Sequence, residues 1–361
     1  MKVQVNQLIE GCILSEDVFS LTNSPIVSQK TVLSNKTLEI LNAFLIKEVA
    51  VEPTLVTGGK FTPAWVEDEV KSIKEEHIVV QHSFTERYLK AVQGYKKLFQ
   101  GWQSGMAIDM PAVRALIVPI IEGAIENPRE LFTLHHYSTV EDYLYHHAIS
   151  VAAMSAVLAS VLNFSKGDYI QIGIAGAMCN CGMAKISTKI MNKKGPLTKV
   201  EFEEIKKHPI YSYILLKDIK LLKDEVKKAI YKHHERIDGS GYPNGVKSEY
   251  LSPYERIISV ADVYYAMTSE RNYRSKQSPF KVLESILQDQ FGKFDMKVVQ
   301  TLTKIMTNFS LGTKVRLSNN KIGEIVFIEQ KSPTRPMVRL DESGEITQLV
   351  NQRGLFIEEI L

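Results

Sequence analysis

One long region of helical hydrophobic periodicity, from about residue 134 to residue 309, constrains the fold of this chain most. Residues 141–162 are amphipathic, and residues 168–179 are nearly all apolar, which predicts a buried helix. A capping box at Thr198 and a cap followed by proline at Ser252 predict the starts of two further helices. Because the region holds five or more such helices, we expect the chain to be mainly α.

Regions with other periodicities flank this all-α domain, to which we assign residues 134–310. Residues 1–60 combine short β-like runs with one helical segment, which predicts a small N-terminal α+β domain. Residues 61–133 predict a helical connecting region. Residues 311–361 carry three β-like runs separated by turn sequences, which predict a small C-terminal β-barrel-like domain.

Composition and charge narrow the class of protein without assigning a function. The net charge is +3, from 44 basic and 41 acidic side chains, which gives no global signal for binding DNA, RNA or a membrane. There is no run of about 18 apolar residues and no N-terminal signal peptide, so we expect a cytoplasmic protein of bacterial type. Three cysteines, Cys12, Cys179 and Cys181, do not form a disulfide framework.

Histidine residues are concentrated in the helical region. Five of the nine lie between Tyr145 and Glu235. Imidazoles and carboxylates that converge from several helices are typical ligands of divalent transition metals. His233 and His234 stand at the predicted end of a helix and run directly into the Gly-rich sequence ERIDGSGYP. Any one of these histidines, taken alone, is more often an ordinary hydrogen-bonded residue, since short motifs match by chance.

The sequence HHERIDGSGYP, which ends at Pro243, resembles the signature of the HD-GYP family of bacterial metal-dependent phosphodiesterases, which hydrolyse cyclic di-GMP. The resemblance covers about residues 139–290 and implies an HD-type helical bundle. It implies a divalent metal cofactor, Fe, Mn or Zn. The ligands that it implies are His147, His208, His233, His234 and Asp262.

The resemblance also implies a substrate pocket for cyclic di-GMP or a related nucleotide. Tyr242 of the GYP turn would face the phosphates together with Arg271 and Arg274, since guanidinium groups suit phosphodiester oxygens. Gly241 would permit close approach of the ligand. The alternative for the two arginines is a solvated basic loop.

The His-Asp dyad of the family is replaced in this chain. Aligning residues 182–186 with the family places Cys179 at the His and Asn180 at the Asp. In the family that Asp bridges two metal ions. A neutral amide is a poorer bridge, so the second ion should bind weakly and the pKa of a bound water should rise. Cys179 could ligate a softer metal as a thiolate, or could simply fill a buried helix end, as free cysteines more often do.

Three functions are compatible with these residues. We expect a degenerate HD-GYP protein in second-messenger signalling, which binds cyclic di-GMP or a related phosphodiester with fewer metal ions and with weak or no hydrolysis. The second function is an active phosphodiesterase with an altered metal site. The third is an interaction scaffold without nucleotide binding. The small terminal domains offer surfaces for protein partners, and a homodimer is compatible with the sequence.

Overall fold

The computed structural model describes residues 1–19, 25–44, 46–63, 83–270, 276–288, 292–308 and 310–361. The chain divides into two units, Met1–Gly94 and Tyr95–Leu361. The helices are α1 (Asn35–Ala43), α2 (Phe84–Gln103), α3 (Met110–Glu126), α4 (Tyr143–Val161), α5 (Lys166–Met178), α6 (Thr188–Met191), α7 (Lys199–Ile205), α8 (His208–Leu216), α9 (Asp224–Lys232), α10 (Pro253–Thr268), α11 (Pro279–Gln288) and α12 (Met296–Met306). The strands are β1 (Lys2–Gln4), β2 (Val18–Phe19), β3 (Pro25–Val27), β4 (Glu48–Ala50), β5 (Lys314–Leu317), β6 (Ile322–Phe327), β7 (Met337–Leu340), β8 (Ile346–Gln348) and β9 (Ile357–Ile360).

The N-terminal unit combines two short antiparallel strand pairs with one helix. β1 pairs with β4, and β2 pairs with β3. α1 begins after Ser34, whose hydroxyl accepts the backbone N–H of Thr37 and so satisfies one of the free donors of the first turn. Leu14, Leu33 and Leu41 are fully buried in the apolar cluster of this unit.

α4 and α5 form the centre of the second unit. Every residue of α4 from His146 to Ala159 is buried. Two glycines of α5 let the two helices approach closely. A Cβ on Gly176 would lie 3.0 Å from the carbonyl oxygen of Val151, and one on Gly173 would lie 3.0 Å from that of Ala152. With α3, α9 and α10 packed around this pair, the predicted mainly α class is confirmed.

Local capping signals position the helices of the second unit. Thr198 and Glu201 form the predicted capping box at the start of α7. Pro209 has no backbone N–H to donate and lies in the first turn of α8, so the chain forms two helices where one would otherwise continue. Ser252 caps α10, with Pro253 at its first position.

α4 is long and apolar enough, by length and composition, to cross a membrane. Its most apolar window has a mean hydropathy of 1.4, but 78% of that window is buried inside the protein. Core helices of globular domains satisfy the same criterion. α4 is therefore packed as a core helix of the second unit.

The C-terminal strands form an open antiparallel sheet, so the predicted β-barrel-like closure is wrong. The strand order is β8-β7-β6-β5-β9. Among the described residues, β8 and β9 pair on one side only, and these edges leave the sheet unclosed. Phe280 of α11 packs into the apolar cluster of the sheet with Val315 and Val338.

Candidate metal centre

The five predicted metal ligands lie together in the structure. His147 is on α4, His208 begins α8, His233 and His234 directly follow α9, and Asp262 is on α10. Nε2 of His208 lies 3.2 Å from Nε2 of His233. Nε2 of His147 lies 2.9 Å from one oxygen of Asp262, and Nδ1 of His234 lies 3.7 Å from the other. Residues separated by up to 115 positions therefore form one cluster, in which His234 is half-buried and the other four are buried.

The hydrogen bonds of His208 and His233 prepare both rings to bind a cation. Nδ1–H of His208 donates to the Ile205 carbonyl at 2.8 Å, and Nδ1–H of His233 donates to the Ile230 carbonyl at 2.7 Å. A neutral imidazole that is protonated at Nδ1 has a lone pair at Nε2. The two lone pairs face each other at 3.2 Å and repel unless a positive charge lies between them.

A proton does not supply that charge. Burial, and then the neighbouring His233, lowers the pKa of His208 to about 3, and burial also lowers the pKa of His233. A divalent ion fits the two facing lone pairs, and donation of the other ring nitrogen to a carbonyl is typical of metal-binding histidines. His208, His233 and His234 offer three donor atoms within 4.8 Å of one another.

Asp262 brings a negative charge to the histidine cluster. Burial alone would raise the pKa of this carboxyl. The neighbouring His234 and the hydrogen bond from His147 outweigh burial and hold that pKa well below its ordinary value. Nδ1 of His147 accepts the Tyr143 hydroxyl at 3.3 Å, so its Nε2–H donates to Asp262. Asp262 is therefore an ionised carboxylate beside the imidazoles.

Cys179 also lies at the cluster. Its Sγ, a nitrogen of His233 and an oxygen of Asp262 lie within 4.8 Å of one another, and all three residues are buried. Burial, and then the charge of Asp262, raises the pKa of the Cys179 thiol well above its ordinary value. Cys181 is buried as well, and burial raises the pKa of its thiol to about 12. Within the described part of the chain, Cys181 belongs to neither donor group.

Ser212 fixes the turn that carries Cys179 and Asn180, a role that the sequence did not reveal. Its hydroxyl donates to the carbonyl of Cys179 at 2.7 Å and accepts the N–H of Gly182 at 2.7 Å. A Cβ on Gly182 would collide with the carbonyl oxygen of His208. The turn therefore packs directly on α8. Asn180, at the end of α5, is 8% exposed.

A cavity of about 420 Å³ opens beside the cluster. Its volume lies in the range of small-molecule sites, which is about 300–1,000 Å³. An adjoining cavity of about 460 Å³ shares Tyr143, Met183 and Ile205 with it. The polar and aromatic residues that line the first cavity are Tyr143, His147, Asn180, Phe202, His208, His234, Tyr242 and Asp262.

The GYP turn packs against the histidine pair. The Tyr242 ring stacks on His234, with a centroid distance of 4.6 Å and an interplanar angle of 27°. A Cβ on Gly241 would collide with the backbone of Glu235 and Arg236. The structure thus shows a packing reason for Gly241, while its predicted contact with a ligand stays a prediction.

Glu235 holds the GYP turn in place and was not singled out from the sequence. It is 2% exposed, and its two carboxylate oxygens accept the N–H groups of Asn244 at 2.7 Å and Val246 at 3.0 Å. A tight turn leaves backbone N–H groups without partners in the turn itself. An acidic residue just before the turn could therefore have been predicted to accept these N–H groups. Arg271 and Arg274 lie outside the described residues, and their contact with phosphates stays a prediction.

Comparisons with known proteins concern the helical domain that carries these residues. An HD domain covers residues 124–298. The chain is similar to a cyclic di-GMP phosphodiesterase of Pseudomonas aeruginosa, with 28% identity over 85% of this chain and 72% of that protein. It is also similar to cyclic di-GMP phosphodiesterase PdeB of Borreliella burgdorferi, with 28% identity over 53% of this chain and 50% of that protein. The structure of an HDG“Y”P protein from Bdellovibrio bacteriovorus aligns with a TM-score of 0.52 at 13% identity, covering 85% of this chain and 99% of that one. That likeness confirms the predicted fold of the helical region.

Proposed function

Because this chain carries an HD domain and belongs to the HD-GYP family, we propose that it binds cyclic di-GMP or a related cyclic dinucleotide, with a divalent ion, and hydrolyses it weakly or not at all. The observation that carries this proposal is the cluster of imidazoles and Asp262 at a cavity that Asn180 also lines. A cytoplasmic role in second-messenger signalling, and protein partners for the terminal regions, are part of the same proposal.

The cavity and its lining support binding of a dinucleotide. The lining combines apolar and aromatic side chains, which suit nucleobases, with polar groups, which suit phosphates. An ion held by His208, His233 and His234 would attract the phosphates and would acidify a bound water. Tyr242 stacks on His234 and lines the same cavity, so its ring borders the space that a ligand would occupy.

The charge of the site argues for weak hydrolysis. Asp262 is the one carboxylate among the described residues that line the cavity. Two dications held close together repel each other and need bridging negative charge, which a neutral Asn180 does not provide. We therefore propose fewer bound ions than in active relatives.

Binding and turnover of cyclic di-GMP test this proposal together. The full chain is loaded with Mn²⁺ or Fe²⁺, its nucleotide affinity is measured by calorimetry, and its products are measured by chromatography. We expect binding with turnover well below the order of 1 s⁻¹ that is ordinary for enzymes. His233→Ala should abolish binding of the metal and weaken binding of the nucleotide. His135→Ala, which removes a buried imidazole outside both donor groups, is the matched control.

The alternative of an active enzyme with an altered site gains support from one observation, the thiol of Cys179 beside His233 and Asp262. A thiolate there would supply one of the missing ligands. Turnover on the order of 1 s⁻¹ or faster, abolished in His233→Ala, would select this alternative. Calorimetry that detects neither metal nor nucleotide binding would select the interaction scaffold.

A further inference from the structure

The cluster contains two groups of three donors that share one histidine. The first group is His208, His233 and His234, and the second is Cys179, His233 and Asp262. Every member of the second group is at most 4% exposed. The second group places sulfur, nitrogen and oxygen donors around one point inside the protein.

The thiol of Cys179 is free to exchange its present contacts for a metal. Its S–H donates to the carbonyl of Gly176 at 3.1 Å, and its sulfur accepts a weak bond from the Asn180 amide at 3.5 Å. The first bond returns to the preceding helical turn. If the thiol gives up this bond, the Gly176 carbonyl oxygen loses one hydrogen bond, and its second lone pair can still accept another. Ser212 meanwhile holds the backbone of Cys179, so the sulfur stays near His233.

We propose that Cys179 ligates the bound ion as a thiolate, together with His233 and Asp262, and that this donor set favours Zn²⁺ over Mn²⁺. The S–H bond breaks, its proton passes to solvent, and a sulfur–metal bond forms. Zn²⁺ accepts sulfur, imidazole and carboxylate ligands, whereas Mn²⁺ prefers oxygen. The inference rests on the proposed function for the presence of an ion. It adds that Cys179, which stands where the family has a histidine, is itself a ligand of that ion.

Cobalt substitution of the full chain tests the thiolate directly. Co²⁺ with a thiolate ligand gives a sulfur-to-metal charge-transfer band in the near ultraviolet, besides the visible bands of any tetrahedral Co²⁺ site. We expect this band in the wild type and in Cys181→Ser, which changes a buried thiol outside both donor groups. Cys179→Ser should lose the band and keep bound Co²⁺ through the imidazoles. It should also lower the affinity for Zn²⁺ at least about 10-fold, with a smaller change for Mn²⁺.

Two outcomes overturn the inference while leaving the imidazole site intact: visible cobalt bands without the charge-transfer band in the wild type, or a band that survives in Cys179→Ser. Failure of the wild type to bind Co²⁺, Zn²⁺ and Mn²⁺ overturns both the inference and the metal binding of the proposed function. Zinc-edge X-ray absorption of the wild type needs no variant. One sulfur at about 2.3 Å supports the thiolate, and nitrogen and oxygen neighbours alone overturn it.

Discussion

At the scale of single residues, Asn180 contributes a neutral amide to the lining of the cavity. Asn180→Asp changes one amide to a carboxylate of nearly the same shape, and it gives the cavity a second acidic lining residue beside Asp262. We expect this variant to bind more metal per chain. We also expect it to hydrolyse cyclic di-GMP at least about 10-fold faster than the wild type. Changes to residues that only hydrogen-bond to metal ligands already alter metal affinity or activity by about 10–100-fold.

Asn163→Asp is the matched control for that change, because Asn163 is an exposed residue after α4. It adds the same charge away from the cavity and should leave turnover unchanged. Metal content by mass spectrometry and product formation by chromatography measure the two effects. An Asn180→Asp variant with unchanged metal content and unchanged turnover would show that the amide is not what limits hydrolysis.

Ser212 offers a prediction about stability at the same scale. Ser212→Ala leaves the carbonyl of Cys179 and the N–H of Gly182 buried without their partner. Each of the two groups costs about 1–3 kcal/mol, so we expect the free energy of unfolding to fall by about 2–6 kcal/mol. Ser155→Ala is the control, because its buried hydroxyl has no hydrogen bond within the described part of the chain. Urea unfolding should show almost no change for the control, and equal losses in the two variants would contradict the role of Ser212.

At the scale of elements, Asp168 joins the first turn of α5 to two neighbouring segments. Lys223 donates to it at 2.8 Å, Ser165 at 2.6 Å and Tyr254 at 3.0 Å. These bonds, that of Lys223 first, lower the pKa of Asp168 to about 2, from an ordinary value of 3.8. A carboxyl whose pKa is lower in the folded protein than in the unfolded chain stabilises the fold. This stabilisation is complete at a pH above the pKa of the unfolded chain, and it is lost as the pH falls towards the pKa of the folded protein.

We therefore expect Asp168→Asn to lower the free energy of unfolding at neutral pH and to have a shrinking effect as the pH falls from about 4 to about 2. The side chain is 31% exposed, so solvent screening reduces the expected loss to about 1 kcal/mol. Chemical unfolding of both proteins over this pH range measures the difference. Asp218→Asn, at an exposed position after α8, is the control. A difference that does not change with pH would refute the electrostatic origin.

The same elements show what the sequence could and could not predict. The starts of α7 and α10 were predictable because Thr198 and Ser252 cap helices through bonds to residues two or three positions away. β8 and β9 were missed, and the sheet was wrongly predicted to close, because strand pairing depends on partners far along the chain. The role of Ser212 was invisible for the same reason, since its partners lie at least 30 positions away.

The candidate site likewise has features that the sequence could predict and features that it could not. The grouping of the five residues could be predicted because the resemblance fixed their order and spacing, and their role as metal ligands stays a prediction. The position of the Cys179 sulfur beside His233 and Asp262 could not, because it depends on how the turn after α5 packs against α8. Sequence alone left a metal ligand and an inert core residue as alternatives for this thiol, and the structure adds that its sulfur lies within 4.8 Å of the donor atoms of His233 and Asp262.

At the scale of the whole molecule, the C-terminal sheet and α11 share one apolar cluster. Phe280 of α11 is 3% exposed and packs among residues of the sheet. The Ser278 hydroxyl donates to the Ile357 carbonyl at 2.6 Å, and Arg335 pairs with Glu284 at 2.7 Å. These contacts tie α11 to the sheet both through apolar burial and through polar bonds.

Phe280→Ala tests whether this connection makes the sheet and the helices one cooperative unit. Removal of a buried aromatic ring costs about 3–5 kcal/mol. If the two parts unfold together, amide hydrogens of β5–β9 and of α10–α12 should both exchange faster in the variant, because exchange from a cooperative unit follows its common free energy of opening. Phe327→Ala, which changes a 51% exposed ring on β6, should alter neither. Faster exchange confined to the strands would instead show that the sheet opens independently of the helices that carry the predicted metal ligands.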